Sequence, residues 1–273
     1  MRHRPRKRFG QHFLTDPTVA DRIVAAAAMP DDDGRPRLVI EIGPGPGILT
    51  EGLLDGADAY AGIEIDRDLA RDLRERFGGR PDFDLVEDDI LKVDLPALID
   101  RYPGHRTVVV GNIPYNITSP ILFRLFDHAD RLHGAVLMMQ REVADRLVAA
   151  PRTKAWGLLT IHTELFAEAE TVCKVGARQF HPPPKVDSTV LRLRFRHGVR
   201  EGFADFELFR RVVRHCFHMR RKMMRNSLSG LFSPDLIAKL SADLTRRPEE
   251  LSVDEWRRLT DTIHHLRLKE AEE

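Results

Sequence analysis

Residues 112–115 read Asn112-Ile113-Pro114-Tyr115. Their types suit one kind of chemistry, the modification of an exocyclic amine on a planar base. Such a nitrogen is a poor nucleophile because its lone pair is conjugated into the ring. A site that makes it react must accept hydrogen bonds from the NH2 group and hold the nitrogen in line with its reaction partner. The Asn112 side-chain oxygen and the backbone carbonyl at 113 or 114 are two such acceptors. Pro114 fixes the local backbone and removes a competing donor. Tyr115 offers a flat face on which a base can stack. Taken alone, Asn and Pro are also ordinary turn residues, so the elements around the tetrapeptide decide its meaning.

Residues 37–42, Arg-Leu-Val-Ile-Glu-Ile, form a short apolar run that predicts a buried parallel strand. Gly43-Pro44-Gly45-Pro46-Gly47 follows, and Ile48–Leu54 reads as a helix. Strand, glycine-rich turn and helix make the first unit of a nucleotide-binding α/β fold. The third Gly comes one residue too early for the G-x-G-x-x-G of dinucleotide binders, which argues against a pyrophosphate ligand. A second strand, Ala59–Ile63, ends in Glu64, 21 residues after Gly43 and close to the ~20 expected for an acid that holds ribose hydroxyls. A third strand, Phe83–Val86, runs into Glu87-Asp88-Asp89-Ile90, and a fourth, Thr107–Gly111, delivers Asn112 at its C-terminal end. Ligands of open α/β sheets bind there.

With Glu41 in front, the turn becomes E-x-G-x-G-x-G, which resembles the S-adenosylmethionine loop of class I methyltransferases; Asn-x-Pro-Tyr resembles the signature of those that act on amines. Three further segments sharpen the resemblance. Arg8-Phe9-Gly10-Gln11-His12-Phe13-Leu14, Phe180-His181-Pro182-Pro183-Pro184-Lys185-Val186-Asp187-Ser188 and Arg220-Arg221-Lys222-Met223-Met224-Arg225-Asn226-Ser227-Leu228 are similar, in this order, to motifs of the ribosomal RNA adenine dimethyltransferases. The matches run from residue 8 to 228 and point to the small-subunit branch. The resemblance implies dimethylation of the N6 amines of two adjacent adenosines in the 3′-terminal hairpin loop of small-subunit rRNA, coupled to ribosome biogenesis.

It also implies site roles. His12 and Leu14 would flank S-adenosyl-L-methionine, while Gly43, Gly45, Glu64, Asp89 and Asn112 would bind it, Asp89 at the adenine amino group. Asn112, Pro114 and Tyr115 would hold the target base, with Phe180 as a second stacking surface opposite Tyr115. Position 12 is Asn in many members of the family and His here, and Ile113 stands where Leu is commoner.

Net charge is only +1, but it is unevenly placed. Residues 1–15 carry +5 and residues 192–225 carry +8, so the rest of the chain carries −12. Two basic patches on an acidic body suit a polyanion. Arg6, Lys7, Arg8, Lys185, Arg220, Arg221, Lys222 and Arg225 are the expected RNA contacts. Cys173 and Cys216 suit a reducing compartment and lack metal-ligand spacing, and the twelve His residues suggest no metal site. No apolar run reaches the ~18–20 residues of a membrane span, and the Arg-rich start leaves no room for a signal segment. A cytoplasmic monomer is the expectation.

The expected architecture is a class I methyltransferase α/β fold, Rossmann-like and mostly parallel, over residues 1–196, with a small helical RNA-binding domain over 197–273 forming the other wall of an RNA cleft. A helix is predicted over Pro17–Ala28, capped by Asp16. Helices are predicted over Arg141–Ala149 and Ala155–Phe166, and late strands near Thr171–Val175 and Ser188–Phe195. Leu251, Trp256, Leu259, Ile263 and Leu266 give a helical apolar face. Three other functions stay open: a large-subunit rRNA adenine methyltransferase of the macrolide-resistance type, a DNA adenine or protein glutamine methyltransferase, and a non-catalytic small-subunit assembly factor. The basic patches and the N-terminal motif count against the second, and the intact Glu64, Asp89 and Asn112 against the third.

Overall fold

The structure, a computed structural model, describes residue 6 and residues 10–29 and 34–272. It divides into two compact units, one of residues 1–145 with 167–196, the other of 146–166 with 197–273.

In the first unit the elements run β1 (Phe13–Leu14), α1 (Pro17–Ala27), β2 (Arg37–Ile42), α2 (Thr50–Asp55), β3 (Ala59–Ile63), α3 (Arg67–Phe77), β4 (Phe83–Val86), α4 (Leu95–Asp100), β5 (Arg106–Asn112), α5 (Thr118–Asp127) and β6 (Gly134–Gln140). After α6 (Arg141–Leu147) and α7 (Leu158–Phe166), the chain adds β7 (Ala167–Val175), β8 (Phe180–His181) and β9 (Ser188–Phe195). Seven strands form one sheet in the order β4-β3-β2-β5-β6-β9-β7. β2 to β6 pair in parallel, and β9 runs antiparallel between β6 and β7. Val108, Val109 and Val110 at the centre are fully buried, as a strand covered on both faces must be. Chain order reverses between β2 and β5, and a crevice opens at such a switch point.

Local chemistry sets the edges of these elements. Asp16 caps α1 by accepting from the Thr18 and Val19 amides at 2.9 and 3.3 Å, with Pro17 at the first helical position. Glycine has one clear role in the turn after β2. Gly45 sits at φ +59°, and a Cβ there would come within 3.1 Å of the Phe13 ring, so only glycine lets β1 close over the turn. β7 starts four residues earlier than the sequence suggests. Its Glu168 and Glu170 alternate with alanines on an edge strand and pair with Arg196, just past β9, and Arg192 of β9, a pattern that reads as polar in sequence but satisfies an edge.

The second unit is helical: α7, α8 (Phe206–His218), α9 (Met224–Leu228), α10 (Pro234–Ala238) and α11 (Val253–Glu272). Its core gathers Phe209, Val212, Leu228, Trp256, Leu259 and Ile263. Trp156 and Ile161 are buried in the same cluster. The sequence reading therefore needs correction at one boundary. Residues 146–166 leave the first unit and pack with 197–273, because their apolar side chains complete the helical core.

Candidate active site

A cavity of about 340 Å³ opens at the C-terminal ends of β2, β3, β4 and β5. Gly43 and Gly45 line it from the turn after β2, Glu64 and Ile65 from β3, Asp88–Leu91 from β4, and Asn112–Ile117 from β5; Gly10–Phe13 of the N-terminal segment line it as well.

Glu64 is almost fully buried, 3% exposed. One carboxylate oxygen accepts from the Gly45 amide at 3.0 Å and the other from the Asp66 amide at 2.8 Å. These bonds fix the carboxylate, and each oxygen keeps capacity for a second donor. Burial raises its pKa, against the amides that lower it. Such a group suits a vicinal diol. Asp89 uses one oxygen to accept from the Leu91 amide at 2.9 Å, which orients the other as an acceptor for an amine. Gly43 has φ +64°, and a Cβ added there would meet nothing within 4 Å, so the backbone borders open space a ligand can enter. Ile65, 43% exposed, and Ile90 supply apolar lining beside the two acids. Diol acceptors, an amine acceptor and apolar walls together fit a nucleoside.

At the other end, the Asn112 amide nitrogen donates to the His12 carbonyl at 2.8 Å. A carbonyl only accepts, so the nitrogen must face it, and the side-chain oxygen is left to accept. The Pro114 carbonyl accepts from the Ile117 amide and the Thr118 hydroxyl, both at 3.1 Å. The Ile113 carbonyl has no partner among the described residues. Of the two backbone acceptors expected at 113 or 114, the one with open capacity is thus Ile113. The Tyr115 hydroxyl shares a 2.7 Å hydrogen bond with Ser188 Oγ, and burial raises its pKa. His12 donates from Nδ1 to the Pro182 carbonyl at 2.7 Å and stacks on Tyr115, with ring centroids 5.7 Å apart.

Several expected site residues lie elsewhere. Phe180 is 4% exposed and packs in the core cluster with Leu14, and neither lines the cavity. The ladder explains both. Leu14 pairs directly with Phe180, so the two side chains share the face turned into the core, while Phe13 points the other way toward the glycine turn. The ring beside Tyr115 is His12 instead. Arg6 is bound to Asp66 at 3.1 Å and to Asp68, and Lys7 and Arg8 fall outside the described residues. Lys185, Arg221, Lys222 and Arg225 are exposed. Arg220 is not a free cation: it pairs with Glu249 and donates to the Thr153 and Lys154 carbonyls at 3.3 and 2.8 Å.

The sequence reading missed Gln11, Ile65, Ile90 and Ser188. The two isoleucines carried a signal, since each directly follows an acid at a strand end. Ser188 stands only as the end of the Phe180–Ser188 motif, and nothing local shows its pairing with Tyr115, 73 residues away. In the sequence Glu41 stands only as part of the loop pattern. It is 1% exposed and accepts from the Tyr60 hydroxyl at 2.6 Å and the Thr50 hydroxyl at 2.8 Å, tying the end of the glycine turn to β3.

A parallel sheet with a nucleoside-shaped cavity at its switch point, and base-directed acceptors beside it, defines a Rossmann-like methyltransferase, an enzyme that draws on a methyl donor. The model of the ribosomal RNA adenine dimethylase family matches residues 2–265, and the chain belongs to that family. It is 42% identical to a ribosomal RNA small subunit methyltransferase A of Picosynechococcus sp. over 272 residues, 96% of this chain and 98% of the relative. It is 41% identical to the protein of that name from Pseudomonas savastanoi over 262 residues, covering 96% and 95%. Among solved structures, a dimethyladenosine transferase from Plasmodium falciparum aligns with TM-score 0.76, 26% identity and coverage of 95% and 98%. The 23S rRNA methyltransferase ErmE aligns with TM-score 0.65, 31% identity and coverage of 92% and 99%. Among the described residues no helix is long and apolar enough to cross a membrane, and no cluster of His, Cys, Asp or Glu could hold a metal ion.

Proposed function

We propose that the protein dimethylates the N6 amines of two adjacent adenosines in the 3′-terminal hairpin loop of small-subunit rRNA, using S-adenosyl-L-methionine, on an immature 30S subunit in the cytoplasm. The observation that carries this reading is the fixed polarity of Asn112. Its nitrogen is spent on the His12 carbonyl, so its oxygen faces the site as a bare acceptor.

Glu64 would hold the ribose hydroxyls of the cofactor and Asp89 its adenine amine, with Ile65 and Ile90 beside the base. The cofactor would supply a methyl group already activated on a positively charged sulfur. The protein's own task is alignment, which can be worth several kcal/mol. The target base must leave its stack to reach the cavity, which is cheapest in a loop. Asn112 Oδ1 and the Ile113 carbonyl would each accept one N–H of the amine and shift the nitrogen toward tetrahedral geometry. After the first transfer the methylated nitrogen would release one proton to water, one N–H would remain, and one acceptor would still suffice. Tyr115, held by Ser188, would present its face to the base.

The likeness to a 23S rRNA methyltransferase favours a second reading, a large-subunit substrate. Methyl incorporation into undermethylated 30S, mature 30S and 50S subunits, followed by nucleoside analysis, separates the two. N6,N6-dimethyladenosine on undermethylated 30S material alone is the expected outcome. Label in 50S material would move the substrate to the large subunit, and binding without label would leave an assembly factor.

A further inference from the structure

Arg124 does not itself line the cavity, yet it ties the two ends together. It lies in the second turn of α5, the helix that starts directly after the Tyr115–Ile117 turn that follows the start of the tetrapeptide. At its start, the Thr118 hydroxyl donates back to the Pro114 carbonyl at 3.1 Å. Further along, the Arg124 guanidinium donates from Nη1 to the Leu91 carbonyl at 3.2 Å and from Nη2 to the Val93 carbonyl. Those carbonyls belong to the turn that shapes Asp89. In that turn the Lys92 and Val93 amides donate to the Asp89 carbonyl at 2.7 and 3.0 Å, and the Leu91 amide donates to the Asp89 carboxylate at 2.9 Å.

We infer that Arg124 is a positioning residue: its fork clamps the Asp89 turn to the helix that follows the tetrapeptide, and so sets the adenine end of the cofactor against the target amine. A planar guanidinium can bridge two backbone carbonyls at fixed spacing, which an ammonium cannot. The clamp has a cost, since Arg124 Nε is buried without a hydrogen-bond partner among the described residues. One orphaned donor is tolerated to keep the other two aimed. The inference rests on the proposed binding of an adenosyl cofactor with Asp89 at its amine.

The test uses base discrimination, which a merely structural role would leave alone. The full-length protein and its Arg124→Gln and Arg124→Lys variants are titrated calorimetrically with S-adenosylhomocysteine and S-inosylhomocysteine. The second ligand carries a carbonyl where adenine has its amine. Wild type should prefer the adenosyl compound. Arg124→Gln should weaken adenosyl binding roughly tenfold, the scale of one misaligned hydrogen bond to a charged group, and change inosyl binding less than twofold. Arg124→Lys should fall between, and it carries the test if the Gln variant does not fold. In an Asp89→Asn background, where discrimination is already lost, Arg124→Gln should alter adenosyl binding less than twofold. Equal weakening of both ligands, or discrimination retained by both variants, overturns the inference alone. A wild type that binds neither nucleoside overturns the cofactor reading beneath it.

Discussion

Glu41 in the first unit and Glu255 in the second are the same residue type, driven in opposite directions. Burial pushes Glu41 up to about 7, although the Tyr60 and Thr50 hydroxyls lower it. The hydrogen bond from Arg246 pulls Glu255 down to about 2. In the first unit Glu41 is held by hydroxyls and the cavity-lining Glu64 by backbone amides, without a guanidinium on either among the described residues. In the helical unit the carboxylates of Glu249 and Glu255 are gripped by Arg220 and Arg246. A carboxylate gripped by a cation has used its charge and most of its acceptor capacity. One held by amides is fixed in place and still able to receive a ligand. The first arrangement stabilises a fold, and the second prepares a site.

The largest test of that contrast is at Asn112, the neutral acceptor of the cavity. Asn112→Ala should lower the single-turnover rate of methyl transfer by roughly 10²–10³-fold, the scale of removing one preorganised polar group from a reacting centre. Donor affinity should fall less than tenfold, because Glu64 and Asp89 are untouched. If rate and affinity fell by the same factor, Asn112 would be a binding residue and the two ends of the cavity would not have separate tasks.

A middle-sized effect separates spent cations from available ones in the second unit. Arg221, Lys222 and Arg225 are exposed, while Arg220 is engaged by Glu249 and two carbonyls. Replacing Arg221, Lys222 and Arg225 by Glu should weaken RNA association tenfold or more and flatten its salt dependence, with little change in melting temperature. Arg220→Gln should do the reverse, lowering Tm by a few degrees and leaving the salt slope near wild type. Titrating hairpin RNA at several salt concentrations, with parallel melting curves, checks both. A salt slope that moved with Arg220 would return it to the RNA-binding surface.

Most of the cavity was legible in the sequence for a simple topological reason. Gly43, Glu64 and Asp89 follow parallel strands and Asn112 ends one, and parallel strands bring their C-terminal ends to one edge. Chain order alone then gathers them. Leu14 and Phe180 were misplaced because their orientation depends on a two-residue ladder between segments 166 residues apart, and no local pattern sets which member of a strand faces the core. The fate of Arg220 depended on Glu249, 29 residues on. The excursion of residues 146–166 into the second unit depended on burying Trp156 and Ile161 among helices encountered only later in the chain. Sequence patterns thus named the groups that could do the chemistry, and tertiary pairing decided which of them were left open to do it.

The smallest effect probes the contrast at its root. Glu41 has a folded-state pKa of about 7 against an ordinary 4.5, so the folded protein binds its proton more tightly than the unfolded chain does. The stability this confers is fully present below about pH 4.5 and is lost as pH rises through 7. Glu64, raised by burial in the same direction, adds to the trend. Glu41→Gln keeps an oxygen that can accept from Tyr60 and Thr50 but cannot ionise. Its Tm should therefore gain on wild type by a few degrees between pH 5 and pH 8, with most of the gain near neutrality. Arg246→Gln offers the opposite sign, because Glu255 is stabilised in its charged form and that contribution is lost only as pH falls toward 2. Melting both variants beside wild type across pH 3–8 reads the two slopes in one experiment. A Glu41→Gln difference that stayed flat with pH would mean the buried carboxyl ionises without penalty, and the distinction between carboxyls held by neutral donors and carboxylates gripped by cations would fail where it is sharpest.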